Sequence, residues 1–212
     1  MRYDPLKIGG LLYIAAVSQW FVFELVAETL YPGYSVSSNY ISDLGATCVP
    51  PTSTTNCVVH QPSAAIFDTT TILLGLMLLV GTFLVYLGTR KRPYLAATAV
   101  FNVAFLLVGV FPENTGRTHD LISAVAAVFA GISLILAWTI AKKGVFRYVA
   151  VAFGIPTLFF IPVKYANALA QMGVGGEERL LVLPALLGVL ALGAYLTGQD
   201  SSALVVKQKA QG

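Results

Sequence analysis

Long apolar runs separated by short polar clusters make up almost the whole chain. The runs are apolar nearly all round, so periodicity does not fix which face of each turns inward. A membrane-crossing helix needs roughly 20 mostly apolar residues. Six runs meet this length, at about 8–30, 64–87, 94–111, 120–141, 148–168 and 180–197. The pattern predicts an all-α integral membrane protein with six transmembrane helices in one bundle, a single domain over residues 1–212. No polar stretch is long enough to fold alone. The start, MRYDPLK, leads into a run too long for a signal-peptide core and without a small-residue cleavage site, so no cleavable leader is expected.

Composition supports the same class. The chain is 57% hydrophobic and 11% charged, against about 25% charged in soluble domains. The basic residues set an orientation. Arg2 and Lys7 precede the first run, Arg90, Lys91 and Arg92 follow the second, and Lys142, Lys143 and Arg147 follow the fourth. Lys207 and Lys209 follow the sixth, so ten of the 13 basic residues fall on one side. Only Arg117, Lys164 and Arg179 fall on the other. Both termini are therefore expected in the cytoplasm of a multi-pass cell-membrane protein. The loop 31–61 is then extracytoplasmic. It contains no Lys or Arg and holds the only cysteines, Cys48 and Cys57. Thiols this close on an oxidising face are expected to form a disulfide.

Ionisable residues inside spans are costly and point to function. Glu24 lies roughly 24 Å into the first run at about 1.5 Å per residue, and Glu28 is one turn further on the same face. Lys164 has nearly the same depth in the fifth run. Asp68 lies one turn into the second, His119 and Asp120 open the fourth, and Arg179 opens the sixth. Eight acids and three bases thus gather in the outer half. The cheapest arrangement turns them inward around one hydrated pocket. Lys164 is expected to seek Glu24, Glu28 or Asp68. Arg117 and Arg179, at helix starts, suit the phosphate of a lipid headgroup; in the plainer reading they snorkel or pair with Glu113 and Glu178.

Three blocks carry a resemblance. "YISDLGA" follows the first run, "GVFPENTGRTHDLISAVAAVFAG" leads into the fourth, and "GVGGEERLLVLPALLG" leads into the sixth. Together they resemble the prokaryotic membrane family called domain of unknown function 998. That family is similar, more distantly, to eukaryotic six-span autophagy modulators and to a Golgi protein that remodels GPI-anchor lipids. The resemblance implies a six-helix bundle, dealings with lipids, and functional roles for Ser42, Asp43, Gly45, Glu113, His119 and Arg179.

The residue types permit several chemistries. Ser42 or Ser123 as nucleophile, His119 as base and Asp43 or Asp120 as orienting acid would serve acyl transfer or lipid hydrolysis. No G-x-S-x-G turn supports that reading. Glu24, Asp43, His119 and Asp120 are metal-ligand candidates, and a hard divalent cation is the ion carboxylates would take. In the plain reading, Asp43 and Gly45 build a turn. The expected ligand set is Glu24, Glu28, Asp68, Glu113, Arg117, Lys164 and Arg179, around a lipid headgroup or similar amphiphile. Whether the protein is an enzyme stays open. The competing readings are an ion- or proton-coupled transporter or channel, and a membrane scaffold without turnover. The short basic clusters and the lack of a phosphate-binding loop exclude nucleic acid.

Overall fold

The computed structural model describes residues 4–51, 53–141, 144–165 and 169–199, without the side chains at 160, 161 and 163–165. Six long helices form: α1 (Pro5–Leu30), α2 (Ser63–Thr89), α3 (Arg92–Val110), α4 (Arg117–Ala137), α5 (Phe146–Tyr165) and α6 (Gly173–Thr197). Local chemistry sets their starts. Asp4 caps α1 by accepting from the Leu6 and Lys7 amides, with Pro5 in the first turn. Pro93 lies in the first turn of α3. Gly116, at φ 61°, turns the chain into α4.

Each helix packs on its neighbours in sequence, and α6 returns to α1, closing a ring. Small residues bring the backbones together. A Cβ on Gly10 would come within 2.7 Å of the Gly193 carbonyl, and one on Gly9 within 2.9 Å of the Gly81 carbonyl. The outer surface is apolar: Val22, Phe83, Leu121 and Phe159 are all more than half exposed. Buried positions include many polar ones, among them Thr71, Thr82, Asn102 and Glu24. This is the arrangement of a bundle solvated by hydrocarbon. Among the described residues, five stretches are long and apolar enough to cross a membrane: Pro5–Leu30, Ser63–Thr89, Arg92–Val110, Arg117–Ala137 and Ala170–Thr197. Phe146–Phe159 of α5 is a shorter apolar helix.

Two helices, α6 and α4, differ in their bounds from expectation. α6 begins at Gly173, about two turns before residue 180, because Glu177, Glu178 and Arg179 are helical and Glu178 and Arg179 find partners inside the protein. α4 begins at Arg117 and ends at Ala137 rather than running from 120 to 141. In the first long loop, Thr47–Cys48 and Cys57–Val58 form a two-residue antiparallel ladder, with Cys48 directly opposite Cys57. These cysteines are disulfide-bonded, with Cα atoms 4.1 Å apart.

Candidate functional site

The polar segment Ser37–Ala46 is built into the protein. Ile41, Ser42, Asp43, Leu44 and Ala46 are all buried. Asp43 organises the turn: its Oδ2 accepts from Asn39 Nδ2 at 2.9 Å and from the Tyr40 amide at 3.0 Å. Residues Ser42–Leu44 then form one 3-10 turn. The first turns of α6 hold this segment by its backbone. The Gly175 amide donates to the Ser37 carbonyl at 3.1 Å, and the Glu178 carboxylate accepts from the amides of Ile41 and Ser42. Arg179 Nη1 donates to the Val36 carbonyl at 3.0 Å. Such close approach requires glycine, since a Cβ on Gly175 would lie 2.1 Å from the Asn39 carbonyl oxygen. The block "GVGGEER" therefore supplies room, an acceptor and a donor fork in that order.

Arg179 also joins α6 to α1. Its Nη2 bonds Glu28 Oε1 and donates to the Tyr34 hydroxyl at 2.7 Å, with Glu24 Oε1 at 3.8 Å. Both intramembrane acids thus share one guanidinium. With both terminal nitrogens engaged, Arg179 offers no open fork to a phosphate. Arg117 is exposed. The side chain of Lys164, the other expected partner of Glu24 and Glu28, lies outside the described residues.

A second carboxylate group lies beside the turn. Ser42 Oγ donates to Glu113 Oε2 at 3.3 Å, and the Asp43 carboxyl is a close neighbour of Glu113. Burial pushes Glu113 up from 4.5 to about 8; the Asp43 and Glu178 carboxylates add to the rise, and the Ser42 hydroxyl opposes it. Asp68 sits on the other side of the turn. Its Oδ1 is buried without a hydrogen bond, and a Cβ on Gly45 would fall 2.6 Å from it.

His119 is buried, and its Nδ1 lies 2.8 Å from the Phe111 carbonyl. A carbonyl only accepts, so Nδ1 carries the proton and Nε2 keeps its lone pair. The group orienting His119 is this carbonyl. Asp43 bonds to Asn39 and Tyr40 instead, and Asp120 is exposed. His119, Ser42, Ser123 and Glu178, with Thr71 and Thr157, supply the polar part of a cavity with about 630 Å³ of empty space, its open mouth included. The rest of its wall is mostly apolar and includes Trp20, Phe67, Phe105, Ala126, Leu181 and Ala185. Among the described residues, no three His, Cys, Asp or Glu side chains are grouped to hold a metal ion.

A family model described as protein of unknown function, DUF998, matches residues 14–195. The chain belongs to this family. No curated protein and no solved structure matches it. The DUF998 match encloses every residue of the site, from Trp20 to Ala185.

Sequence reasoning expected the outer ionisable side chains around one pocket; the structure groups Glu24 and Glu28 with Arg179 and, separately, Ser42 and Asp43 with Glu113. Sequence reasoning missed Tyr34, Asn39 and the role of Glu178. Glu178 had a readable signal, since it stands next to Arg179 at the opening of an apolar run. Tyr34 and Asn39 had none beyond lying in the same loop.

Proposed function

We propose that the protein crosses the membrane six times with both termini cytoplasmic, and that it binds an amphiphile in the cavity beneath Ser42 and His119. The orientation is supported by the basic residues between α2 and α3 and before α1, and by the disulfide in the first long loop. One observation carries the binding reading. A mostly apolar cavity carries a few polar side chains, among them Ser42, His119, Ser123 and Glu178. Ligand sites have this make-up, an apolar wall with a few placed polar groups. An aliphatic chain fits against Phe67, Phe105, Leu181 and Ala185, with its head at Ser42 and His119.

The test is photocrosslinking in nanodiscs with a phospholipid carrying a diazirine on its acyl chain. Labelling of cavity-lining peptides is expected, reduced at least about tenfold in Ala185→Phe, which fills the apolar end. Equal labelling of both proteins, or labelling confined to the outer helix faces, refutes the site.

A second observation favours turnover at the same place. The His119 lone pair shares the cavity with two serine hydroxyls. In that reading Ser42 or Ser123 attacks an ester carbonyl, His119 takes its proton and returns it to the departing alcohol, water then cleaves the acyl-serine to fatty acid and free serine, and the Phe111 carbonyl fixes the tautomer. Release of fatty acid from vesicle phospholipid, lost in His119→Ala and in one serine-to-alanine variant, supports it. Binding without release in the wild type refutes it.

A further inference from the structure

A second polar centre, without any charge, lies deeper in the bundle. Tyr13 of α1, Thr82 of α2, and Tyr94, Thr98 and Asn102 of α3 are all at most 4% exposed. Tyr13 bonds Thr82 Oγ1 at 2.8 Å and the Tyr94 hydroxyl at 2.9 Å. Asn102 Nδ2 donates to Thr82 Oγ1 at 2.8 Å. Two atoms stay without a hydrogen bond, Asn102 Oδ1 and Thr98 Oγ1. They are one helical turn apart on the same face of α3.

Both residues line a small cavity with about 10 Å³ of space for a water-sized guest, room for one water at most. Tyr13, Tyr94, Leu78, Ser133 and Leu134 share its wall. Nothing in that wall answers the two orphans. The Ser133 hydroxyl donates to the Phe129 carbonyl at 2.5 Å, and Thr98 Oγ1, though beside the Tyr94 hydroxyl, makes no hydrogen bond of good geometry. Turning the Asn102 amide over exchanges an orphan oxygen for an orphan NH2 group. A polar atom left unpaired in a hydrocarbon-solvated bundle is costly.

We infer that this cavity is a binding site for a single water molecule, which donates to Asn102 Oδ1 and shares a hydrogen bond with Thr98 Oγ1. Buried waters typically occupy polar pockets of this kind. A divalent metal cation fits poorly, because no lining residue is acidic and such ions are held mainly by carboxylates. The water joins Thr98 to the network of Tyr13, Thr82, Tyr94 and Asn102. Phe101 walls both this cavity and the outer one, and so stands between the water and the amphiphile pocket.

The test needs no variant to begin. Water-edited solid-state NMR of the full chain in lipid is expected to show early transfer from water to Thr98 and Asn102. Xenon, which enters dry apolar cavities, is expected to leave this one empty in the wild type. Thr98→Val with Asn102→Leu is expected to abolish the transfer. Absence of water transfer in the wild type, or xenon bound there, overturns the inference. So does a thermal stability that rises in sodium chloride but not in choline chloride, which would make the guest a cation.

Discussion

The guanidinium of Arg179 and the carboxylate of Glu28 form an ion pair that ties the last helix to the first. Glu24 shares the same cation from one turn deeper. Arg179→Ala leaves two acids in the bundle without their base. A loss of about 3–5 kcal/mol is expected, since breaking a buried pair from one side strands the other charge. Arg179→Lys keeps the charge but not the fork that reaches Glu28, Tyr34 and the Val36 carbonyl, so it is expected to fall between. Adding Glu24→Gln and Glu28→Gln to Arg179→Ala should restore part of the stability. Thermal unfolding in detergent orders the four proteins.

Gly175→Ala forces a methyl group toward the Asn39 and Val36 carbonyl oxygens, 2.1 and 2.3 Å from the Cβ position. Backbone on both sides cannot yield cheaply, so about 1–3 kcal/mol of destabilisation is expected. The Ser37–Ala46 segment should lift from α6. Limited proteolysis within residues 36–46 then becomes faster in the variant, while Gly176→Ala, which meets the Met172 side chain instead, leaves the rate near wild type.

Glu113 gives the protein a pH signature. Its carboxyl is raised from 4.5 to about 8 by burial first and by Asp43 and Glu178 next. A raised acid binds its proton more tightly in the folded state, so this group favours folding most at pH below 4.5. That contribution declines as pH rises toward 8, where the buried group must ionise. Melting temperatures measured from pH 5 to 9 should fall with a component that Glu113→Gln removes. An unchanged slope in the variant contradicts the assignment.

The bridge between Cys48 and Cys57 closes a short loop, with a sequence separation of 9. Replacing both cysteines with serine is expected to cost about 2–3 kcal/mol by the loop-entropy relation. The pair also reports sidedness. In intact cells, a reductant that does not cross membranes should free both thiols for alkylation. Protection from it would place the loop on the cytoplasmic side and overturn the proposed orientation.

The helices were legible because the bilayer demands long apolar runs, and the polar breaks between them are sharp. The site was legible in part. Glu24 and Glu28 stood out as charges at depth, and Arg179 as a base at a helix start. Their pairing was not readable, since Lys164 offered an equal partner by depth alone. The burial of Ile41–Ala46 was hidden by its polar composition, because the groups that satisfy its backbone come from α6, more than 130 residues away. The deep network of Tyr13, Thr82 and Asn102 escaped a search for charges, since hydroxyls and amides are common in helices and their convergence depends on rotation about each axis.

The Arg179–Glu28 contact joins positions 151 residues apart, and this separation governs the order of events during synthesis. At translation rates of about 5–20 residues per second, α1 leaves the ribosome roughly ten to thirty seconds before its counter-ion exists. Throughout that interval the nascent first helix must ride shallow in the interface or shelter its carboxylates against the insertion machinery. Completion of the ring is therefore a late step, open only once α6 has been made.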